Sequence, residues 1–223
     1  MTEKTKKVAV VLSGCGHLDG AEVHESVLTL LALSREGAQY EGLAPNRMQH
    51  HVVNHRTQKE VVGEFRNILD ESARIMRGNI KAIDDANLSN YDAVIFPGGF
   101  GAAKNLFDFA FKGDESFTVN EDVLNFAKKA YQMGKPMGFI CISPMMMADI
   151  CGANVNMTIG KDLTAAKAIE AKGAKHHLTE VDGICIDKDR KVVSTPAYML
   201  GENPYQVSLG IDKLVKAVLE LSN

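Results

Sequence analysis

Short apolar segments alternate with longer amphipathic segments along the chain, and this alternation constrains the fold more than any other feature. The runs 7–13 (KVAVVLS), 93–96 (AVIF) and 137–142 (MGFICI) have the length of buried strands, and glycine or proline follows each within two residues. Strands separated by helices usually pair in parallel, with helices on both faces. The pattern therefore predicts an α/β fold, a three-layer αβα sandwich around a mainly parallel sheet.

Other parts of the sequence complete this prediction. Apolar spacing predicts helices over 21–36, 66–77, 119–133, 163–171 and 206–221. The buried face of the first helix is expected to consist of Val23, Val27, Leu30, Leu31 and Ser34. A further strand is expected over 40–44, a small hairpin insertion over the polar segment 45–64, and a second hairpin over 183–198. No linker or repeat divides the sequence, so residues 1–223 are predicted to form a single domain.

Charge and cysteine content exclude several classes of protein. Lys and Arg total 25 and Asp and Glu total 28, for a net charge of −3, so we expect no binding to nucleic acid. The longest apolar runs are shorter than the roughly 18 residues that cross a bilayer, so no membrane association is expected. The four cysteines form no C-x-x-C pair and the N-terminus is unlike a secretory signal, which predicts a reduced, cytoplasmic protein.

Cys141 is the first candidate for chemistry because it ends a predicted buried strand and Pro144 follows it closely. This arrangement is typical of a strand-to-helix elbow, which lifts a side chain out of the sheet and places it at a helix N-terminus. The positive potential there would lower the pKa of the thiol. The residues alone leave open the alternative that Cys141 is an ordinary buried cysteine.

Two other segments at predicted strand ends carry candidate residues. Gly98 and Gly99 follow an apolar strand and can present backbone N–H groups to an oxyanion, or they can form an ordinary tight turn. Glu22 and Glu25 share one face of the first predicted helix. A carboxyl buried beside a thiol would carry protons near neutral pH, but the residues alone favour a solvated pair in the first helical turn.

Taken together, these motifs resemble a known family. The segments LSGCGxxDGxExHExVLTLLALSR, PGGFGAAKNL, KPMGFICISP and STPAYML are similar to those of the ElbB (enhancing lycopene biosynthesis) subfamily of the PfpI family, within the class I glutamine-amidotransferase-like superfamily. The resemblance implies a flavodoxin-like sandwich, usually a homodimer. It also implies a nucleophilic Cys141, a protonated Glu25 beside it, and an oxyanion hole from the backbone N–H groups of Gly99 and Ile142.

The sequence also departs from its relatives in ways that bear on the reaction. Peptidase-like members have His directly after the nucleophile, where this chain has Ile142, and no His follows His177 to act as the late base of a glutamine amidotransferase. Protease and glutaminase activities are therefore disfavoured. The resemblance instead implies a glyoxalase that acts on a small 2-oxoaldehyde without cofactor or metal, or the related removal of early glycation adducts. The alternative is a non-enzymatic redox sensor or regulatory protein linked to isoprenoid biosynthesis.

Further residues are candidates for binding the substrate. Glu22 and Gly98 stand close to the proposed catalytic residues in the motifs. Cys15 is expected near the same pocket, either as a second redox thiol or as a packing residue. Lys104 either attracts an anionic group or is a solvated helix start. His24 could approach the pocket, but it falls between the two glutamates and is expected on another face of the helix. No metal site is expected in the His-rich insertion.

Overall fold

The computed structural model describes residues 5–222, which are built around a seven-stranded sheet. The strands are β1 (Lys7–Val11), β2 (Gln39–Ala44), β3 (Val53–Asn54), β4 (Lys59–Glu60), β5 (Ile80–Ala82), β6 (Ala93–Phe96), β7 (Met137–Ile140), β8 (Asn156–Met157), β9 (Lys175–His176), β10 (Cys185–Asp187) and β11 (Val192–Thr195). The order in the main sheet is β10-β11-β7-β6-β1-β2-β5. Only the edge strand β10 is antiparallel to its neighbour in that sheet. The predicted mainly parallel sheet is confirmed.

Helices cover the sheet. They are α1 (Val23–Arg35), α2 (Ile68–Met76), α3 (Ala102–Asn105), α4 (Phe109–Lys112), α5 (Glu121–Gln132), α6 (Met147–Cys151), α7 (Leu163–Ala171) and α8 (Pro204–Leu221). Helix α8 packs on α1 and on strands β7 and β11, while α5 packs on α6. Short 3₁₀ turns lie at Ile83–Asp85, Leu88–Asn90, Ser143–Met146 and Ala197–Met199. Within residues 5–222, no helix combines the length and the hydrophobicity that a bilayer span requires.

Most predicted elements are present within one or two residues of their expected ends. The strand 93–96 and the helix 163–171 match exactly in extent, and the insertion 45–64 contains the antiparallel pair β3–β4. The predicted hairpin over 183–198 corresponds to the antiparallel pair β10–β11. Sequence patterns missed β5, because its three residues are too few to show a period.

The buried face of α1 differs from the predicted one. Its buried residues are Glu25, Ser26, Thr29, Ala32 and Leu33, whereas the expected Val27 and Leu31 are 48% and 41% exposed. The hydroxyls of Ser26 and Thr29 donate to the carbonyl oxygens four residues earlier, at 2.7 Å each. Polar residues can therefore be buried on this helix because its own backbone satisfies their hydrogen bonds.

Asn105 joins the segments that surround the carboxyl end of the sheet. Its side chain is buried, and its Nδ2 donates to the carbonyl oxygens of Ser13 at 2.9 Å and Asp19 at 2.8 Å. Its Oδ1 accepts a hydrogen bond from the backbone N–H of His50 in the insertion, at 2.9 Å. One amide thus ties the loop after β1 to α3 and to the insertion.

Asn105→Asp tests this role because it preserves shape but removes both donors. Two buried carbonyl groups would then face a carboxylate, and we expect the free energy of unfolding to fall by about 3 kcal/mol. Urea denaturation measures the change. Asn90→Asp is the matched control at an exposed position and should change stability by less than about 0.5 kcal/mol. Equal, small effects of the two substitutions would contradict the assignment.

Candidate active site

Cys141 lies at the turn that follows β7, and its backbone has a φ of 63°. Few residues other than glycine adopt this conformation, which costs of order 1–3 kcal/mol. Its N–H donates to the carbonyl oxygen of Thr195 at 2.9 Å, and the Ser143 hydroxyl donates to the carbonyl oxygen of Pro97 at 2.8 Å. Pro144 lies in the first turn of the 3₁₀ segment that follows. The predicted elbow is confirmed, and neighbouring strand ends hold it in place.

Glu25 is completely buried beside this elbow. Its Oε2 accepts a hydrogen bond from the N–H of Gly98 at 3.0 Å, its Oε1 accepts one from the N–H of Tyr198 at 3.2 Å, and its carboxyl is hydrogen-bonded to the Cys141 thiol. Glu22 caps α1 by accepting the N–H of Glu25 at 2.6 Å. The interpretation of the two glutamates as a solvated pair is therefore wrong for Glu25.

The two glycines after β6 allow Cys141 and Glu25 to meet. A Cβ on Gly98 would lie 2.5 Å from the Cβ of Cys141 and 3.0 Å from Oε2 of Glu25, so only glycine fits between them. Gly99 has a φ of 104°, which favours glycine. The backbone N–H groups of Gly99 and Ile142 both form hydrogen bonds with the sulfur of Cys141. Two backbone donors thus lie at the sulfur, and their role as an oxyanion hole stays a prediction.

Burial raises the pKa of Glu25 to about 8, and the nearby Glu22 carboxylate adds to the increase. The hydrogen bonds from Tyr198, Cys141 and Gly98 oppose this increase without cancelling it. Desolvation disfavours the charged form of a carboxyl more than these donors restore it. Glu25 is therefore mainly protonated at neutral pH and can exchange a proton under physiological conditions.

The expected lowering of the Cys141 pKa is contradicted. Burial raises the pKa of the thiol well above its ordinary value, and the charge of Glu25 raises it further. The N–H groups of Gly99 and Ile142 lower it, but they do not outweigh desolvation. The helix that should have stabilised a thiolate is a 3₁₀ turn followed by α6, which has only five residues, so its dipole is small.

A cavity of about 650 Å³ opens in front of Cys141. Four of the candidate residues line it, namely Cys141, Glu22, Gly99 and Ile142. The other lining residues are His17, His24, Phe100, Phe109, Asp162, Thr164, Ala165, Tyr198 and Met199. Glu25 lies behind this wall, against the sulfur.

His24 and Tyr198 were not expected in the site. His24 was assigned to another face of α1, yet it lines the cavity, and its Nδ1 lies 2.7 Å from the Tyr198 hydroxyl. The first helical turn begins at the cavity, so neighbouring positions 22 and 24 both reach it. Tyr198 stands in a short 3₁₀ turn directly after β11. Its position at the end of the predicted hairpin 183–198 could have indicated it, because ligands gather at the carboxyl ends of parallel strands.

Two of the substrate-binding candidates lie elsewhere. Cys15 is outside the cavity lining, and its surroundings include the charged groups of Glu71 and Arg74 on α2. Lys104 donates to the carbonyl oxygen of Leu18 at 2.9 Å and lies over the ring of Phe100. It braces a loop and does not line the cavity. Among residues 5–222, no group of three or more His, Cys, Asp and Glu side chains has the arrangement of a metal site.

A profile of the DJ-1/PfpI family matches residues 6–199. The chain belongs to the DJ-1/PfpI family. The resemblance inferred from its motifs is thereby confirmed, and DJ-1/PfpI membership agrees with a buried carboxyl beside a cysteine at an elbow. Membership does not by itself specify a reaction.

Individual relatives cover most of the chain. The human glutamine amidotransferase-like class 1 domain-containing protein 3, mitochondrial, is 43% identical over 97% of this chain and 83% of its own length. The rat ES1 protein homolog, mitochondrial, is 41% identical over 97% of this chain and 84% of its own length. The crystal structure of an isoprenoid biosynthesis protein with amidotransferase-like domain from Ehrlichia chaffeensis is 34% identical, covers 98% of this chain and 100% of its own, and has a TM-score of 0.90. The flavodoxin-like fold is confirmed.

The expected cytoplasmic location is contradicted by these comparisons. The human and rat relatives, and an ES1 protein of Danio rerio that is 32% identical over 96% of the chain, are all named as mitochondrial proteins. The cysteine pattern indicated only that a disulfide scaffold is absent. The absence of such a scaffold does not distinguish a cytoplasmic from a mitochondrial protein.

The raised pKa of Glu25 makes stability depend on pH. Below about pH 4.5 the folded and unfolded states both hold the proton, whereas between about pH 4.5 and 8 only the folded state does. The free energy of unfolding should therefore fall as pH rises through this range, by at most about 1.4 kcal/mol per pH unit from this group. Denaturant titrations across the range should show that Glu25→Gln removes this decrease.

Glu22→Gln is the matched control for that measurement. It retains an oxygen to cap α1, but it removes the charge that helps to raise the pKa of Glu25. The decrease in stability should then end at a lower pH than in the wild type. Identical pH profiles for the wild type and Glu25→Gln would show that Glu25 is not a buried, protonated group.

The raised pKa of Cys141 also predicts how its thiol reacts. Alkylation of the Cys141 peptide by iodoacetamide should be slow at pH 7 and should still increase above pH 9, because only the thiolate reacts. In Glu25→Gln the curve should move to lower pH, since one of the causes of the increase is the Glu25 charge. Mass spectrometry of the peptide follows the reaction. A wild-type plateau below pH 7 would contradict this result.

Proposed function

We propose that this protein is a cofactor-independent glyoxalase, which converts a 2-oxoaldehyde to the corresponding hydroxy acid. The observation that carries the proposal is the contact between the buried carboxyl of Glu25 and the thiol of Cys141, beside two N–H groups from Gly99 and Ile142. A nucleophile, a proton carrier with a pKa near 8 and two oxyanion donors are the groups that this reaction needs.

The first step consumes the single proton of the Cys141–Glu25 pair. Loss of one proton leaves the Glu25 carboxylate beside the Cys141 thiol, because Glu25 has the lower pKa. Transfer of the thiol proton to that carboxylate gives the reactive form, in which Cys141 is the thiolate and Glu25 is the neutral acid. The sulfur adds to the aldehyde carbon, the electrons of the C=O bond move to its oxygen, and Glu25 supplies the proton to that oxygen. The product is a hemithioacetal on Cys141, and the Glu25 carboxylate is left beside the new carbon centre. The N–H groups of Gly99 and Ile142 would stabilise the oxygen as it becomes negative.

Glu25 then moves a proton between the two carbons. The carboxylate removes the hydrogen from the sulfur-bearing carbon, which gives an enediolate, and returns that proton to the neighbouring carbon. The hydroxyl proton on the oxygen of the first carbon passes to the oxygen of the second. The first carbon is now a thioester, oxidised at the expense of the second, which becomes an alcohol, so no external oxidant is needed. Water, deprotonated by the Glu25 carboxylate, attacks the thioester. The hydroxy acid leaves, and the Cys141 thiolate and the neutral Glu25 are restored.

Hydrolysis of peptides or of glutamine is a weaker alternative. A Cys–His hydrolase uses an imidazole that takes the proton of the thiol and passes it to the leaving amine. Here the residue after the nucleophile is Ile142, and the titratable side chain hydrogen-bonded to the sulfur is Glu25. His24 lines the cavity with its Nδ1 engaged by the Tyr198 hydroxyl.

A redox sensor is the second alternative, and the raised pKa of Cys141 opposes it. Oxidation by peroxide proceeds through the thiolate at an accessible site, whereas Cys141 is only 7% exposed and burial keeps its pKa high. The name of the Ehrlichia relative links that protein to isoprenoid biosynthesis. A regulatory role in such a pathway would not require the Glu25 contact.

Turnover of glyoxal to glycolate tests the proposal directly. Cys141→Ser should reduce turnover to the level without enzyme, and Glu25→Gln should reduce it by roughly 100- to 10,000-fold, the usual contribution of a general acid–base. Cys185→Ser is the matched cysteine control, on edge strand β10, and should retain wild-type turnover. Near-ultraviolet circular dichroism checks that each variant is folded.

The outcomes separate the alternatives. Wild-type turnover no faster than that of a free thiol, with all variants folded, would overturn the glyoxalase proposal and favour a regulatory role. Full activity in Glu25→Gln would remove Glu25 from the reaction. Activity that survives in Cys141→Ser would require another nucleophile.

A further inference from the structure

The cavity in front of Cys141 is much larger than the substrates named so far. Its volume of about 650 Å³ falls in the range of roughly 300–1,000 Å³ that is typical of sites for drug-sized ligands. Glyoxal occupies only on the order of 100 Å³, a few water molecules' worth of space. Most of the cavity would therefore remain unused in a reaction with glyoxal.

Apolar side chains from separate segments form much of the wall. Phe100 follows β6, Phe109 begins α4, Ile142 follows the elbow, Ala165 lies in α7, and Met199 lies in the 3₁₀ turn after β11. Two aromatic rings and three aliphatic side chains thus converge on one space. Such a wall favours an apolar ligand because burial of its surface removes it from water.

Apart from His17 and His24, the ionisable side chains that line the cavity with Cys141 and Tyr198 are carboxylic acids. Glu22 and Asp162 line it, and among residues 5–222 neither Lys nor Arg does. The nearby ammonium of Lys104 is hydrogen-bonded to the carbonyl oxygen of Leu18 and lies outside the lining. An anionic substituent would approach two carboxyl groups without a lysine or arginine to pair with, and like charges repel. Neutral or cationic groups meet no such penalty.

We propose that the cavity selects an aldehyde or 2-oxoaldehyde that carries an apolar group of aromatic size and no negative charge. The inference rests on the proposed function for the reactive end of this substrate and on the cavity wall for the other end. The aldehyde carbon lies at Cys141, and the apolar group contacts Phe100 and Phe109. With phenylglyoxal as probe, the sulfur adds to the aldehyde, one proton moves between the carbons and one between their oxygens, and water releases mandelate.

Kinetics with three aldehydes provide the first test. We expect kcat/KM for phenylglyoxal to exceed that for methylglyoxal by about 10-fold or more, after each is divided by its rate of addition to a free thiol. The 4-carboxy derivative of phenylglyoxal should be at least about 10-fold poorer than phenylglyoxal. Asp162→Asn should reduce the difference in kcat/KM between phenylglyoxal and its 4-carboxy derivative. Asparagine can also cap α7 but carries no charge.

Substitutions of residues that line the cavity test which side chains cause the preference for phenylglyoxal. Phe109→Ala should lower the phenylglyoxal-to-methylglyoxal ratio of kcat/KM by about 10-fold. Phe111→Ala is the matched control in the same helix, because Phe111 packs on His50 and does not line this cavity; it should leave the ratio unchanged. Phe109 also contacts Phe117, so Phe100→Ala, at a 49% exposed position, provides a second variant if Phe109→Ala does not fold.

Binding without chemistry separates this inference from the proposed function. Acetophenone should raise the thermal midpoint of Cys141→Ser, benzoate should not, and Phe100→Ala should weaken the acetophenone effect. Acetophenone binding without turnover of any aldehyde would overturn the glyoxalase proposal and leave the selectivity of the cavity standing. Turnover of methylglyoxal with no phenylglyoxal preference and no acetophenone binding would overturn this inference alone. Equal binding of benzoate and acetophenone would contradict the charge argument.

Discussion

The burial of one carboxyl against one thiol is the constraint on which the rest of the site depends. A fully buried carboxyl is costly unless hydrogen bonds satisfy it, and Glu25 receives backbone donors from two separate strand ends, at Gly98 and Tyr198. Those donors exist only because the parallel strands β1, β6, β7 and β11 bring their carboxyl ends to one edge. The unusual backbone of Cys141 completes the contact, so the sheet provides the support that keeps a strained residue in place.

The parts of the fold that depend on local chemistry could be predicted from the sequence. Strand β6 and helix α7 were predicted at their observed ends, and the proline after Cys141 indicated the elbow. The buried face of α1 could not be predicted, because hydrophobic periodicity cannot anticipate that Ser26 and Thr29 form hydrogen bonds to their own helix and are buried. The position of His24 could not be predicted either, because its direction depends on where the helix begins relative to the cavity.

The electrostatic prediction for the thiol was wrong because two opposing effects are set by tertiary structure. A helix N-terminus lowers the pKa of a thiol, and this effect could be inferred from sequence. Burial raises it, and the depth of Cys141 depends on segments far away in the chain that close around it. Desolvation is the larger effect here, and the charge of Glu25 adds to it. Two effects on the pKa of Cys141 thus oppose each other, and only the packed structure shows which is larger.

A pair of acids that both hold their protons tightly is suited to a particular kind of catalysis. Neither Cys141 nor Glu25 is reactive as a free thiolate or a free base at neutral pH, because burial raises both pKa values. The pair becomes reactive when it loses one proton, and the remaining proton is then available within hydrogen-bond distance of the nucleophile. The raised pKa of Cys141 also slows its reaction with oxidants, because these attack the thiolate. In the glyoxalase reaction that we propose, turnover therefore depends on the proton that Glu25 carries as well as on the nucleophilicity of Cys141.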